Sequence, residues 1–273
     1  MLKNTKTVLL TGAMGGLGAA IINVLIKNKW HVFATDINSG VFDKYKDNDT
    51  ITPVLMDVTN LNSIEKAFAI ITEQTRGLDA IINLAGMLVV GSVAELPIET
   101  IEKILEVNLL GVYRVNQQFL PLILNRKGRI INISSETGWQ TAAPFNGAYA
   151  MSKYALEAYS DALRRELSFL GILVIKIQPG PFKTEMTKQV ESLFSNAEKN
   201  SSFFKNPLNK GRRYLPEVYK KAHDPKILAY TILRALTIRK PKIAYSVKPD
   251  KMRSFLEKLP VKWSDALIKK ALS

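Results

Sequence analysis

The sequence predicts an α/β fold, a Rossmann-type doubly wound parallel sheet of about seven strands with helices on both faces. Short aliphatic runs recur along the chain and are apolar continuously instead of alternately, which is typical of strands buried on both faces. Helix-length segments with apolar residues at three- and four-residue spacing separate these runs. Because this alternation continues through most of the chain, we expect a single domain over residues 1–273.

Each element is predicted from one of the two patterns. The strand-like runs lie at residues 7–10, 31–34, 53–56, 80–82, 129–133, 172–177 and 242–245. The helical patterns lie at residues 16–28, 61–76, 98–124 and 149–170, and helix-like sequence resumes near residue 224.

Residues 185–223 interrupt the alternation, because they are rich in Lys, Asn, Ser and Phe and contain no strand-like run. An insertion after the sixth strand lies at the carboxyl edge of the sheet, so we predict a lid over the substrate. Disorder is the alternative, but side chains such as Phe194, Phe203 and Phe204 would be costly to leave in water.

A C-terminal helical extension is predicted over residues 250–273, where apolar side chains alternate with lysines as in an amphipathic helix. Packing of its apolar face on the core or on a second subunit is favoured, and peripheral contact with a membrane is the alternative. From Lys183 onward the chain has 21 Lys and Arg against 8 Asp and Glu, so this third carries nearly all of the net charge of +14. We interpret the charge as solvated surface lysines instead of a nucleic-acid site.

The composition excludes several classes of function. Cysteine is absent, which excludes disulfides and thiolate chemistry. The two imidazoles, His31 and His223, have no partner at ligand-like spacing, so we expect no metal. No segment approaches the ~18 apolar residues that span a bilayer, and we expect a cytoplasmic protein.

A glycine-rich turn joins the first strand to the first helix. It contains Gly12, Gly16 and Gly18, with Met14 and Leu17 between them. Glycines allow a tight turn and a close backbone approach, and the helix that follows directs its N–H groups and positive dipole end at a phosphate. With a strand before and a helix after, this turn predicts a dinucleotide site.

An acidic residue at the end of the second strand indicates which dinucleotide binds. Asp36, some 18 residues after Gly18, can accept hydrogen bonds from the adenosine ribose hydroxyls. Its carboxylate would repel the 2′-phosphate of NADP, and Ile37 follows it instead of an Arg or Lys. We therefore predict NAD, with NADP the less favoured cofactor.

Tyr149 and Lys153 lie four residues apart on a predicted helix and therefore share a face. A phenol titrates near ~10 in water, too high for a base at neutral pH, and a nearby ammonium favours its ionised form. With 9 Tyr in the chain, however, about one such pair is expected by chance, so the surrounding motifs must decide its meaning.

Those motifs, in their order and spacing, resemble the short-chain dehydrogenase/reductase family in its compact single-domain form. The resemblance covers nearly the whole chain. Besides the glycine turn, the motifs are Asp57-Val58, Asn83-Leu84-Ala85-Gly86, Asn108 in a Val-Asn-Leu-Leu-Gly segment, Ser135, Tyr149 with Lys153, and Pro179-Gly180-Pro181-Phe182-Lys183-Thr184. One departure is Leu84, where a second Asn is commoner in the family.

The resemblance implies an NAD(P)-dependent oxidoreductase that interconverts an alcohol and its carbonyl compound by hydride transfer. It implies Tyr149 as general acid/base, Ser135 as a donor to the substrate oxygen, Lys153 as a ligand of the nicotinamide ribose, and Asn108 as a support for a water linked to Lys153. The positions expected to bind the cofactor are Gly12, Met14, Gly16, Leu17, Gly18, Asp36, Ile37, Asp57, Val58, Asn83, Ala85, Gly86, Tyr149, Lys153, Pro179, Gly180, Phe182 and Thr184.

The choice of the catalytic serine is open to one alternative. Ser135 lies 14 residues before Tyr149, where 12 or 13 is usual in the family, so Ser134 must be considered. Because successive strand residues point to opposite faces, only one of the two can serve. We choose Ser135, since the family places a Ser-x-x-Gly pattern here and Gly138 completes it.

Two other functions are alternatives to this interpretation. The spacing of Gly12, Gly15 and Gly18 also fits the family's extended members, which are nucleotide-sugar epimerases or dehydratases, although only about 90 residues follow Thr184. A non-catalytic NAD-binding regulator is disfavoured by the intact catalytic set. We expect a small-molecule alcohol or ketone, lipophilic and steroid- or retinol-like, as the substrate, and a homodimer or homotetramer as the assembly.

Overall fold

The structure of the chain is a computed structural model that describes residue 2 and residues 5–273, apart from the side chains at 186–188 and 218–219. Seven strands form one parallel sheet in the order β3-β2-β1-β4-β5-β6-β7. The strands are β1 (Lys6–Thr11), β2 (Trp30–Asp36), β3 (Ile51–Leu55), β4 (Ala80–Asn83), β5 (Arg129–Ile133), β6 (Leu173–Pro179) and β7 (Ala244–Val247). The predicted doubly wound α/β fold is confirmed.

Helices cover both faces of this sheet. The first six are α1 (Gly16–Lys27), α2 (Gly40–Tyr45), α3 (Leu61–Gln74), α4 (Ile98–Leu105), α5 (Gly111–Arg126) and α6 (Gly147–Ser168). The later ones are α7 (Glu185–Asn200), α8 (Lys205–Arg213), α9 (Leu215–Lys220), α10 (Pro225–Thr237), α11 (Lys251–Leu256) and α12 (Val261–Leu272). A π-helical turn, Glu106–Leu110, interrupts the helix predicted over 98–124.

The sheet separates two hydrophobic cores. Val8 and Leu10 contribute to the core under α1 and α10, whereas Leu9, between them, contributes to the core under α3 and α5. Successive side chains of a strand point to opposite faces, so a continuous apolar run fills both cores at once.

The strand order reverses at β1, which pairs with β2 on one side and with β4 on the other. The connections from these strands lead to opposite faces and leave a crevice beyond their carboxyl ends. Thr11, at the end of β1, fixes the two sides of this crevice, because its Oγ1 accepts hydrogen bonds from the backbone N–H groups of Leu84 and Ala85, both at 3.0 Å.

The insertion predicted over 185–223 folds into α7, α8 and α9. Glu95 holds it to the loop after β4, since its carboxylate accepts from Ser201 Oγ at 2.7 Å and from the N–H groups of Ser202 and Phe203 at 2.8 and 2.9 Å. This helical structure argues against the disorder alternative. The insertion does not bury all of its aromatic side chains, since Phe203 is 82% exposed.

The C-terminal extension, predicted as one amphipathic segment, forms two short helices. α12 packs on α8, and the hydroxyl of Tyr214 lies 3.5 Å from the carbonyl oxygen of Ala271. The apolar side chains divide between two environments, because Ile268 and Leu272 are half-buried whereas Trp263 and Leu267 are exposed. Among the described residues, no helix is both long and apolar enough to cross a membrane.

Candidate active site

The glycine turn has the geometry of a phosphate cradle. Gly12 has a φ of +74°, and a Cβ on it would lie 3.0 Å from the backbone of Ala85. A Cβ on Gly18 would collide with the carbonyl oxygen of Gly12. The N-cap of α1 is Gly15, which has no side chain to cap the helix, and no acidic residue stands in the first turn. The first N–H groups of α1 are therefore open to an anion. These features fit a dinucleotide pyrophosphate.

Asp36 is built into the wall of this cradle. Its two carboxylate oxygens accept from the N–H groups of Met14 at 2.9 Å and Asn38 at 3.0 Å, and Asp36 lines the same cleft as the glycines. Ile37 is 67% exposed and lies outside the cleft lining. The fold adds a cation that the local sequence does not show, because Lys44 Nζ donates to the carbonyl of Met14 at 3.2 Å.

Asp57 and Val58 stand at the end of β3, on the far side of Asp36. Asp57 Oδ1 accepts from the N–H and the hydroxyl of Thr59 at 2.8 and 2.7 Å, which leaves Oδ2 for other donors. Val58 is buried and packs so closely on Gly111 that a Cβ there would lie 2.7 Å from Val58 Cγ2. Neither residue lines the main cleft, so their contact with the cofactor stays a prediction.

Asn83 does not face the cleft. Its Nδ2 donates to Asn116 Oδ1 at 2.8 Å and to Asn132 Oδ1 at 2.9 Å, and Asn132 in turn donates to Ser160 Oγ at 2.9 Å. This buried network joins β4 and β5 to α5 and α6. The side chain predicted to bind the cofactor therefore has a structural position, whereas Ala85 and Gly86, two and three residues later, do line the cleft.

The glycine turn opens into a cleft of about 470 Å³ at the carboxyl edge of the sheet. It brings together most of the predicted site residues from elements far apart in the chain. Its lining includes Gly12, Gly16, Leu17, Gly18, Asp36, Ala85, Gly86, Ser135, Tyr149, Lys153, Pro179, Gly180, Phe182 and Thr184. The lid contributes Glu185, Val190 and Leu215.

Tyr149 and Ser135 both line this cleft, and Ser135 is close enough to affect the titration of the phenol. Burial raises the pKa of Tyr149 to about 12, and the contact with Ser135 opposes that shift. Ser134 points elsewhere. A Cβ on Gly138 would lie 2.7 Å from Ser134 Oγ, and that oxygen is buried without a hydrogen-bond partner among the described residues. The geometry thus favours Ser135 over Ser134.

Lys153 is fully inside the protein and spans from α6 to the end of β5. Its Nζ donates to the carbonyl of Ile133 at 3.0 Å and lies 5.7 Å from the centre of the Tyr149 ring. Burial lowers the pKa of Lys153 to about 8, against an opposing effect of Glu157. Without a cofactor, burial raises the pKa of Tyr149, and the expectation that this ammonium lowers it stays a prediction.

Asn108 lies in the π-helical turn and behind the cleft. Its amide makes a two-way contact with the backbone of Met87, at 2.8 and 3.0 Å, and donates to Ser152 Oγ at 3.0 Å. A Cβ on Gly86 would lie 3.2 Å from Asn108 Oδ1 and 3.8 Å from Lys153 Nζ. Asn108 thus fixes the loop after β4 and the start of α6, directly behind Lys153.

The segment after β6, which is predicted to hold the nicotinamide, forms part of the cleft wall. Gly180 is required there, because a Cβ would collide with the carbonyl oxygen of Lys248. Phe182 is buried and its backbone pairs with that of His223, which joins the base of the lid to this segment. Thr184 lies against the phosphate cradle, since a Cβ on Gly16 would be 3.4 Å from its Cα.

Two charged residues that the sequence analysis did not identify also line the cleft. Glu136 directly follows Ser135 and is buried, and Arg253 comes from α11. Their closest atoms are 3.7 Å apart. No local pattern indicates Arg253, because it is one of many basic residues in the C-terminal third. Among the described residues, no cluster of His, Asp and Glu could hold a metal ion.

Comparison with known proteins agrees with this geometry. The short chain dehydrogenase family model matches residues 6–193. A probable short-chain type dehydrogenase/reductase, VdlC, of Helicobacter pylori is 32% identical over 263 residues, which are 95% of each chain. Mouse retinol dehydrogenase 7 is 36% identical over 71% of this chain and 62% of its own length. Human 17-beta-hydroxysteroid dehydrogenase type 6 is 36% identical over 69% of this chain and 60% of its own length.

A solved structure shares the whole architecture. A short-chain dehydrogenase from Streptomyces avermitilis superposes with a TM-score of 0.78 over 99% of this chain and 97% of its own, at 24% sequence identity. The matched family model includes the glycine turn, the serine, and the Tyr149 and Lys153 pair. The chain belongs to the short-chain dehydrogenase family and is an NAD(P)-binding oxidoreductase.

Proposed function

We propose that the protein oxidises a lipophilic secondary or primary alcohol, or reduces the corresponding carbonyl compound, with Tyr149 as the proton-transferring residue. The observation that carries this proposal is the arrangement in the cleft. Tyr149, Ser135 and Lys153 line the same cleft as the phosphate cradle. A nicotinamide cofactor bound along this cleft supplies or accepts the hydride.

In the direction of oxidation, Tyr149 takes the proton of the substrate hydroxyl, and in reduction it returns the proton to the carbonyl oxygen. Ser135 Oγ donates to the same oxygen and stabilises the charge that develops there. Lys153 supplies a positive charge that makes the phenolate less costly, and its contact with Ile133 holds it in place. Asn108 fixes the loop at Met87 and the turn of α6 that carries Lys153, through its hydrogen bond to Ser152.

The test is Tyr149→Phe, which removes one hydroxyl with little change of volume. We expect kcat for alcohol oxidation to fall by at least about a hundredfold, as general acid–base catalysis is lost, while the affinity for NAD stays within a factor of about three. The assay follows NADH absorbance with cyclohexanol, 1-decanol, a 17β-hydroxysteroid and all-trans-retinol. Tyr230→Phe removes the same hydroxyl from an exposed position on α10 and is the matched control.

We infer NAD as the preferred cofactor, because the Asp36 carboxylate faces the cleft and would repel a 2′-phosphate. Lys44 is the opposing feature, since its ammonium reaches the same turn through Met14. Wild-type kcat/KM for NAD above that for NADP is the expected result, and the reverse ratio would contradict the inference.

A lipophilic substrate is supported by the lining of the cleft near the lid, which includes Met87, Leu88, Val190 and Leu215. Relatives of this chain carry the names retinol dehydrogenase and 17-beta-hydroxysteroid dehydrogenase. The extended-family alternative is less well supported, because β7, the strand that follows Thr184, joins the same sheet and pairs with β6.

We also propose a cytoplasmic homodimer or homotetramer that uses α5 and α6. A groove of about 340 Å³ lies between these helices, and Tyr113, Met151 and Tyr154 are exposed along them. Light scattering after size exclusion measures the assembly.

Peripheral membrane contact through α12 is the less favoured proposal, and co-sedimentation of the chain with and without residues 261–273 on anionic liposomes tests it.

A further inference from the structure

The loop that carries Ser135 is joined to the C-terminal segment by a set of polar contacts. Glu136 Oε2 accepts from the N–H of Asp250 at 2.6 Å, and Thr141 donates its N–H and its hydroxyl to Glu257 at 2.8 and 3.1 Å. Gln140 reaches Ser254 at 3.3 Å. α11, from its N-cap Asp250 to its C-cap Glu257, therefore packs along residues 136–141, although it lies more than 100 residues later in the chain.

Arg253 lies at the centre of these contacts. Its NH1 donates to Thr137 Oγ1 at 3.2 Å and faces Glu136 Oε1 at 3.7 Å, and its NH2 donates to the carbonyl of Thr141 at 3.3 Å. The Asp250 carboxylate caps α11 by accepting from the N–H of Arg253 at 2.9 Å. The guanidinium is thus held in one position, and that position is part of the cleft lining.

Glu136 is a charged group in an unfavourable place, since it is buried, directly follows Ser135 and lines the same cleft as Tyr149. A carboxylate without a partner would oppose ionisation of the phenol, because two like charges in a poorly solvated site repel each other. Arg253 is the cation that offsets it.

We propose that Glu136 and Arg253 form a positioning pair for the reaction, in which α11 supplies the cation that neutralises a buried carboxylate beside Tyr149. The C-terminal segment is thereby a part of the catalytic centre. This inference rests on the proposed role of Tyr149 as the acid/base.

Other charged groups lie around Tyr149 and Glu136. Lys153, on the same helix as Tyr149, lies over the face of the phenol ring, and Glu157, one turn further, acts on Lys153. On α11, the Asp250 carboxylate raises the pKa of Glu136, whereas Arg253 lowers it. From the lid, Glu185 lines the cleft. Burial is the main cause of the raised pKa of Tyr149, and Glu136 raises that pKa further whereas Arg253 lowers it.

The test compares the pH dependence of alcohol oxidation in single and double variants. Arg253→Met should move the rise of kcat/KM with pH upward by about one unit, since one charge at a few ångströms in a protein has an effect of that order. Glu136→Gln keeps an acceptor for the Asp250 N–H and should move the rise downward. The double variant should return toward the wild-type profile, and Arg253→Lys should retain it.

Lys251→Met is the matched control, because Lys251 is an exposed cation on the same helix and contributes nothing to the cleft lining. It should leave the profile unchanged. If Arg253→Met and Glu136→Gln lower the rate without opposite shifts of the profile, the pair is only structural and the proposal is overturned.

A second measurement needs no substrate. The phenolate absorbance of Tyr149 is obtained by a rapid pH jump as the difference between each protein and its Tyr149→Phe counterpart. Glu136→Gln should lower the titration midpoint and Arg253→Met should raise it. Unshifted midpoints would overturn the proposal even in an active enzyme. An active Tyr149→Phe enzyme would instead contradict the proposed function, and the midpoints would still report on the pair.

Discussion

At the residue scale, the two adjacent serines after β5 show how one position separates chemistry from packing. Ser135 lines the cleft with Tyr149 and lowers the pKa of that phenol, whereas Ser134 Oγ lies against Gly138 and has no hydrogen-bond partner among the described residues. We expect Ser135→Ala to lower kcat by about a hundredfold, as for a lost donor to a developing oxyanion, and Ser134→Ala to retain most of the activity. Steady-state kinetics of both variants decides between them, and the opposite order of activities would move the catalytic role to Ser134.

Asp36 is the residue that should decide the choice of cofactor. With the Asp36→Ala variant, the repulsion of a 2′-phosphate is removed and Lys44 stays within reach of the same turn. We expect the ratio of kcat/KM for NADP to that for NAD to rise at least about tenfold, which corresponds to about 1.4 kcal/mol. Lys44→Met in the Asp36→Ala background should cancel part of the gain. An unchanged ratio would show that the discrimination lies elsewhere.

At the element scale, the sequence predicts elements well where a pattern is local. The continuous apolar runs locate all seven strands to within a few residues, and the glycine turn locates the start of α1. The short helix α2 was missed, because six residues give too little periodicity for a helical pattern. The π-helical turn was also missed, since the apolar pattern over 98–124 is helical throughout.

The site shows the same division. Tyr149, Lys153 and the glycines stand in sequence motifs, and the fold brings them into one cleft. Arg253 does not stand in a motif, and its place in the cleft depends on the packing of α11 along residues 136–141. Asn83 stands in a motif, yet its side chain belongs to a network between elements. Contacts distant in sequence are therefore what the sequence analysis could not supply.

The network around Asn83 makes an element-scale prediction. Asn83→Ala would leave the buried amide oxygens of Asn116 and Asn132 without their donor, and we expect the free energy of unfolding to fall by about 2–4 kcal/mol. Urea denaturation should show a lower midpoint with an unchanged slope. Asn125→Ala removes an exposed amide and should cost less than about 0.5 kcal/mol. Equal losses of unfolding free energy in both variants would show that the network contributes no more to stability than an exposed amide does.

At the scale of the whole molecule, Lys153 and Tyr149, which we propose to be catalytic, make the stability of the fold depend on pH. Lys153 carries a charge into the interior, which lowers its pKa from 10.5 to about 8, and Tyr149 has its pKa raised from 10.0 to about 12. Below pH 8 the folded and unfolded chains both hold the Lys153 proton, so the penalty for burying the charge is present in full. Between about pH 8 and pH 10.5, Lys153 is protonated in the unfolded chain and deprotonated in the folded chain. The free energy of unfolding therefore rises with pH over this range.

This linkage gives a prediction for the global stability. Relative to Lys153→Met, which has no such proton, the wild type should gain about 2 kcal/mol of unfolding free energy between about pH 7 and about pH 9.5. Urea denaturation of both proteins at the two pH values measures the change, which is independent of the lost contact with Ile133. Tyr149→Phe is the control and should show the same gain as the wild type. Tyr149 affects the pH dependence of stability only between pH 10 and about 12, where the unfolding free energy falls as pH rises. If the difference in unfolding free energy between wild type and Lys153→Met does not change with pH, the Lys153 ammonium is well solvated in the folded chain. Burial of its charge would then cost the fold no stability.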